Sequence, residues 1–400
     1  MRKATTSSFV GALLALVLAA GPGAARLVAA ARDLPGALEP LALPVRPEYE
    51  RALKRLYLSV PDEFGVAATP EQRAIYLTFI QHAYSELIEA LPAYTRIDIA
   101  VSAAQGAGEL ARLKAVAGDR PLVLHTLDDV KGGLDMWAQD LGERIVVDGQ
   151  DRFLVPMAVE SGDEYNRELS RSRAEVARDV FGDMIVQADF VFEGGNLAFD
   201  RVGNRLRVFI GYNDVWLTIE NYARLGRTLS VDDVTRIVSS DFGGAEVVVV
   251  GKEQQSPRLF HLDQAFILLG DGTAVVNRIV DGSSRERTQL EATRRQLEGL
   301  GYRTLVIDHR QEHVARYQMS TNAVPFVDQQ TGEKRIIFPV FPGEVKAGSV
   351  GVEQLGEKDL QGKGLAAYRT YAAAGYQPVP IRDYAHVVGG NTHCITNVLD

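Results

Sequence analysis

Apolar positions recur along this chain with two periods, and segments of the two kinds alternate. Ile75, Phe79, Ala83 and Leu87 fall every fourth residue after Thr69-Pro70-Glu71. That spacing predicts a helix with Thr69 as its cap and proline in the first turn, ended by Pro92. The run Ile97 to Val101 predicts a short buried strand after it. Later segments repeat the plan. Ser283 and Glu286 have the spacing of a capping box, ahead of a helix with Leu290, Leu297 and Leu300 on one face. Gly301 stops that helix, Tyr302 comes next, and Thr304 to Ile307 reads as a strand. Residues 364 to 383 give a helix, Gly375 as stop, Tyr376 and the strand Val379 to Ile381. Both units end in an aspartate, Asp308 and Asp383, which marks an internal structural repeat.

A second repeat concerns polar residues at the starts of apolar strands. Five hairpin-like segments carry them: Trp137-Ala138-Gln139-Asp140, Glu193-Gly194-Gly195-Asn196, His261-Leu262-Asp263, Ser320-Thr321-Asn322 and Asn391-Thr392-His393-Cys394. Turn pairs such as Asp148-Gly149 and Asp271-Gly272 come after several of them, and another apolar strand is next. Any one segment alone reads as a solvent-exposed strand start. The five in order bring two acids, a His-x-Asp pair, an amide and a thiol. Arranged around an axis, the repeats would carry all five polar ends into one pocket.

The first residues add a compartment to this picture. Arg2 and Lys3 precede an almost unbroken apolar run from Phe9 to Ala20, and Gly21-Pro22-Gly23 breaks it. Gly23-Ala24-Ala25 supplies the small residues that a signal peptidase needs. Residues 1–25 are therefore expected to be a signal peptide, with an uncleaved anchor as the alternative. The run is short for a membrane span, so the mature protein is expected to be secreted or periplasmic, without an integral membrane domain. Pro35, Pro40 and Pro44 mark residues 26–46 as a leader segment. No low-complexity linker divides the rest of the chain, and residues 47–400 read as a single catalytic α/β domain. A net charge of −9 argues against nucleic acid as a partner.

Cys394 is the only cysteine. An exported protein normally uses cysteines in pairs, so a lone one is a buried filler, an intermolecular link or a reactive thiol. A reactive thiol needs a proton donor, and His261 and His393 are the candidates. Adjacent side chains on a strand face opposite sides, which favours His261 over the neighbouring His393. A carboxylate, Glu193 or Asp263, would raise the pKa of that histidine and fix its tautomer. Several carboxylates in one pocket repel one another unless a cation joins them. Asp140, Glu193 and Asp263 lack the dense local spacing of a hard-metal site. A guanidinium, planar and donating paired hydrogen bonds, fits them better. Trp137 reads either as a core tryptophan or as a face for that cation.

The ordered set resembles the agmatine deiminase and bacterial peptidylarginine deiminase family, within the guanidine-modifying pentein superfamily. The matching pieces are Pro47-Glu48-Tyr49-Glu50, Trp137-x-x-Asp140, Glu193-Gly194-Gly195-Asn196, His261-x-Asp263, Asn322 and Gly389-Gly390-Asn391-Thr392-His393-Cys394. The resemblance implies a five-bladed α/β propeller of ββαβ modules with pseudo-fivefold symmetry around a central site. It implies that Cys394 attacks a guanidinium carbon and that His261 passes protons while Glu193 orients it. Asp140 and Asp263 would grip the guanidinium nitrogens, and Trp137 and Asn322 would complete the substrate site. The product would be a ureido compound plus ammonia, made without metal or organic cofactor. The partner would be a small-molecule or peptidyl guanidino substrate: agmatine, free arginine or peptidyl arginine. The chain departs from the family pattern at Gln139, where arginine is usual, and at Leu141-Gly142-Glu143 in place of a Gly-Pro. An amidinotransferase, a catalytically silent guanidine- or peptide-binding protein and a Cys-His amidase remain the alternatives.

Overall fold

The computed structural model describes residues 45–61, 70–103, 106–127, 134–160, 164–349 and 354–399, all within one compact unit, Ala42–Asp400. The expected signal peptide, the leader segment up to residue 44 and the cap Thr69 lie outside the described residues. Among those described, the strands form five separate sheets. The first contains β1 (Arg55–Ser59), helix α1 (Pro70–Ala90), β2 (Arg96–Ser102), helix α2 (Gly106–Ala117) and β3 (Leu122–Leu127), its strands parallel. The second is the hairpin β4 (Glu143–Val147) and β5 (Gln150–Val155), helix α3 (Glu164–Phe181), and β6 (Ile185–Gln187) parallel to β5. The third repeats this with β7 (Leu197–Val202), β8 (Arg205–Gly211), helices α4 (Tyr212–Arg224) and α5 (Val231–Asp241), and β9 (Glu246–Val250). The fourth has β10 (Phe266–Gly270), β11 (Thr273–Ile279), α6 (Arg285–Gly299) and β12 (Arg303–His309), with the short α7 (Gln311–Ala315) after it. The fifth has β13 (Val324–Val327), β14 (Lys334–Val340), α8 (Gly362–Ala373) and β15 (Gln377–Arg382). The last strand, β16 (Asn397–Val398), pairs antiparallel with β1 and gives the first blade the hairpin strand it lacks. Blade five thereby leads back into blade one.

Local chemistry explains the repeat. At Asp148-Gly149 and Asp271-Gly272 both residues have positive φ, as a two-residue hairpin turn of the primed type requires. The helix–Gly–Tyr pattern is a Schellman stop used twice. Tyr302 N donates to Leu297 O at 3.0 Å and Tyr376 N to Tyr371 O at 3.1 Å, with Gly301 and Gly375 left-handed between. Both tyrosines are buried, and their hydroxyls reach across to Asp200 and to Leu269 O. The terminal aspartates diverge, since Asp308 pairs with the exposed Arg278 while buried Asp383 accepts from His386 N and Thr392 Oγ1.

Two local expectations are displaced. Ile75 is 53% exposed, and the face of α1 turned to the core is Ile80, Ala83, Tyr84, Leu87 and Ile88. A strict four-residue spacing advances about 40° per step around a helix, so three steps carry Ile75 off the face that holds Leu87. The cap of α6 is Ser284, which accepts from Arg287 N at 3.1 Å, and not Ser283. Glu286 serves Ser256 and Gln311 instead of closing a capping box.

Candidate active site

Each first strand of a blade is preceded by a tight turn, and these turns carry the polar residues. Ala138–Leu141, Gly194–Asn196 and Leu262–Gln264 are single 3-10 turns, and residues 320–321 and 392–395 are turns as well. Residues 393 and 394 thus lie in a turn ahead of β16, where strand alternation does not apply and does not turn His393 away from the thiol. His393 belongs to the site.

Cys394 is buried, and Asn322 holds it by two contacts and its neighbour His393 by a third. Asn322 Nδ2 donates to Sγ at 3.1 Å, while Asn322 Oδ1 accepts from Cys394 N at 3.2 Å and His393 N at 2.7 Å. Asp263 Oδ2 lies 3.5 Å from Sγ. Burial, followed by the Asp263 charge, pushes the thiol pKa up, and His261 only partly offsets them. The free site thus favours the thiol over the thiolate.

His261 is buried and charged. Its Nε2 lies 2.8 Å from Glu193 Oε2 and 4.0 Å from Asp140 Oδ1. Burial opposes the charge, but Asp140, Cys394 and Glu193 together raise the pKa well above the usual histidine value. Its Nδ1 has no hydrogen-bond partner. A ring nitrogen of His261, an Asp263 oxygen and Cys394 Sγ all lie within 4.8 Å of one another. Gly195 makes this approach possible, since a Cβ there would sit 2.6 Å from His261 Nδ1 and 2.9 Å from Asp263 Oδ2.

Asp140 and Asp263 each keep one buried oxygen, Oδ1, without a hydrogen-bond partner. Burial dominates at Asp140 and raises its pKa to about 6, against the pull of Arg173 and His261. Glu193 goes the other way, to about 2, because His261 and Arg173 outweigh its desolvation. Arg173, from α3, is the residue that the sequence reading missed. Its Nε donates to Asp135 Oδ2 at 2.8 Å, with Asp140 Oδ2 at 3.2 Å and Glu193 Oε1 at 3.5 Å from its other nitrogens. A signal existed, because position 173 begins the buried stripe Val176, Ala177 and Val180, where a cation is out of place.

His393 closes the opposite side. Its Nδ1 meets Asp263 Oδ2 at 2.9 Å and its Nε2 meets Glu48 Oε1 at 2.8 Å. Trp137 packs its indole on the Gly390 backbone, where a Cβ would fall 2.2 Å from the ring, and joins the core of blade one. Gln139 is buried and its amide contacts Glu143, the partner of Arg51. Two sets of donors have metal-ligand proximity, His261/Asp263/Cys394 and Asp140/Glu193/His261. In the second set Arg173 already puts a guanidinium on two carboxylates, and His261 is itself a cation, so a metal ion would enter against two positive charges. A cavity of about 140 Å³, lined mainly by apolar residues such as Met157, Val191, Phe192 and Leu217, adjoins Arg173 and Glu193.

No family model and no curated protein matches the sequence. Solved structures do. Campylobacter jejuni agmatine deiminase superposes with a TM-score of 0.62 at 15% identity, over 89% of this chain and 95% of that one. Enterococcus faecalis agmatine deiminase gives 0.61 at 13% identity, over 92% and 99%. A substrate-bound cysteine-to-serine variant of the C. jejuni enzyme gives 0.60 at 14% identity, over 89% and 96%. At such identities the likeness concerns the backbone, and it agrees with the five sheets described above: this chain has the pentein fold, an α/β propeller of five blades.

Proposed function

We propose that this protein deiminates a guanidino compound to a ureido product and ammonia, with Cys394 as nucleophile. One observation carries the reading. Two buried carboxylate oxygens without a hydrogen bond, Asp140 Oδ1 and Asp263 Oδ1, belong to residues clustered with His261, whose ring also lies near the only thiol. Leaving a buried acceptor oxygen without a hydrogen bond costs about 1–3 kcal/mol. A planar cation with paired N–H donors is the ligand that relieves two such oxygens at once. The fold is shared with agmatine deiminases.

The chemistry is set by the protonation states. Entry of a cation lowers the thiol pKa, so the thiol proton leaves to solvent as substrate binds. Sγ attacks the guanidinium carbon and forms the C–S bond. His261 Nδ1–H protonates the departing nitrogen, the C–N bond breaks, and ammonia leaves a thiouronium on Cys394. Neutral His261 then takes a proton from water, the hydroxyl adds to the same carbon, and the C–S bond breaks with its electron pair returning to Sγ; the hydroxyl proton passes to that thiolate, which releases the ureido product and restores the thiol. Water as acceptor separates this from amidino transfer to an amine. The signal peptide expected at residues 1–25 further supports a mature protein outside the cytoplasm and a substrate met there, for which peptidyl arginine is the chemical form we favour; N-terminal sequencing of the protein from its host checks the removal of those residues.

The test is ammonia release from agmatine, free arginine and an arginyl peptide, with parent protein and Cys394→Ala. Activity on at least one substrate that Cys394→Ala abolishes supports the reading. A cationic halo-amidine should also alkylate Cys394 much faster than neutral iodoacetamide, because only the cation fills the clamp. Normal turnover by Cys394→Ala, or release of ammonia from amides only, overturns it.

A further inference from the structure

The acid cluster already contains one guanidinium. The Arg173 side chain reaches from α3 into the group formed by Asp135, Asp140 and Glu193 and touches all three. Such a residue is either an occupant that substrate must displace or a part of the site. The oxygens it uses decide between these. Arg173 takes Asp140 Oδ2 and Glu193 Oε1, while Asp140 Oδ1 is left without a partner and Glu193 Oε2 holds His261. Each carboxylate is split, with one oxygen on the internal guanidinium and the other on the reacting side. An occupant of the substrate position would instead cover the free oxygens.

We propose that Arg173 is a positioning residue for the reaction: a permanent internal guanidinium that keeps Asp140 and Glu193 ionised, leaving Asp140 Oδ1 for a substrate guanidinium and Glu193 Oε2 for His261. The proposal rests on the deiminase reading above and adds a residue to it. Physically, three carboxylates this close, with Asp140 buried and Asp135 and Glu193 half-buried, repel one another and favour protonation of the buried one unless a fixed cation joins them. Arg173 is the choice that does not titrate, and its planar fork serves several carboxylates at once. Helix α3 anchors it through the buried Val176, Ala177 and Val180 one and two turns along. The titratable groups that face Asp140 are Asp135, ahead of its own turn, Arg173 on α3, and Glu193 and His261 from the two neighbouring turns. Beyond them stand Asp214 of α4, which accepts from Glu193 N, Asp263 and Cys394, near His261, and Tyr57 of β1, near Asp135. Arg173 is the only one of these groups that carries a fixed positive charge.

The experiment measures binding apart from turnover. In a Cys394→Ala background, the affinity for agmatine and for acetyl-arginine amide is followed by calorimetry from pH 5 to 9, with Arg173 intact, as Arg173→Lys and as Arg173→Met. Expected is a loss of binding in Arg173→Met whose midpoint moves up by about one pH unit or more, equal to about tenfold weaker binding near neutral pH. Arg173→Lys should restore the midpoint at least in part, which a packing defect would not do. Tighter binding by Arg173→Met would make Arg173 a plug and overturn the proposal. An unchanged pH profile would make it structural and overturn it equally. Ammonia release by the parent enzyme together with an unmoved profile sinks Arg173 alone. The expected profile without any ammonia release by the parent enzyme sinks the deiminase reading alone. Absence of binding by either probe sinks both.

Discussion

His261 and His393 stand on two sides of one thiol and differ in a single respect that decides their chemistry. Both are buried, both meet a carboxylate oxygen at 2.8 Å, and both are held charged by their carboxylate neighbours against the cost of burial. His393 has spent both ring nitrogens, one on Asp263 and one on Glu48. His261 has spent one and keeps Nδ1 free, near the thiol. A histidine tied at both nitrogens is a fixed charge, and one tied at a single nitrogen can move a proton. Glu48–His393 thus balances Asp263, as Arg173 balances Asp140 on the other side. The site contains a matched pair of countercharges and one acid–base group.

The largest expected effect tests that division. His261→Ala should lower kcat by about 10²–10⁴-fold, the range that general acid–base groups contribute. His393→Gln should lower kcat/KM by only about tenfold, through the charge on Asp263 and the thiol. Steady-state kinetics on the two variants with the best substrate reads this directly. Equal losses in kcat would break the comparison.

A smaller effect sharpens it. His261 counters the Asp263 field that pushes the thiol pKa up, and His393 sits directly on the Asp263 carboxylate. His261→Gln and His393→Gln should therefore each raise the thiol pKa by on the order of one unit, about tenfold in thiolate at a given pH. Iodoacetamide alkylation of Cys394 against pH measures it without any turnover. The two variants should agree in alkylation while differing widely in catalysis. A variant in which His393→Gln leaves the alkylation profile untouched would remove Glu48–His393 from the electrostatics of the site.

Much of this arrangement was legible in the residues, and the reason is local. Cys394, His261, Glu193, Asp140, Asp263 and Asn322 each sit in a turn directly before an apolar strand, so a linear pattern marks them. The five sheets were legible because the Schellman stops at Gly301 and Gly375 and the turn pair at Asp271-Gly272 use chemistry that reads from a few neighbours. Arg173, Asp135 and the pairing of Glu48 with His393 were not. Arg173 shows only as a cation at the head of the apolar stripe of α3, which does not name its partners, and Glu48 meets a residue 345 positions away. Contacts of that kind are created by ring closure, where β16 joins β1, and no window of sequence contains them. Tight turns also rotate side chains differently from strands, which is why the alternation rule misplaced His393.

The smallest expected effect is a pH dependence of substrate binding that should arise from Asp140, on the His261 side. Asp140, whose pKa burial raises to about 6, stands beside His261. Across the ring Glu48 is held below the usual glutamate value, because His393 and Arg51 outweigh its burial. The ionised form is the one that holds a guanidinium, and this fixes the sign. Above about pH 6 Asp140 is an anion and the clamp is charged; as pH falls through that value it takes a proton and its hold weakens. Both histidines remain protonated over the same interval, since their pKa values lie well above 6.5, so they contribute no change there. KM should therefore rise by about threefold between about pH 6.5 and 5.5, tending toward tenfold per unit below that. Asp140→Asn should bind weakly at every pH and lose this limb, whereas Glu48→Gln should keep it. A limb that survives in Asp140→Asn would assign the titration elsewhere and make the two sides of the thiol electrostatically equivalent.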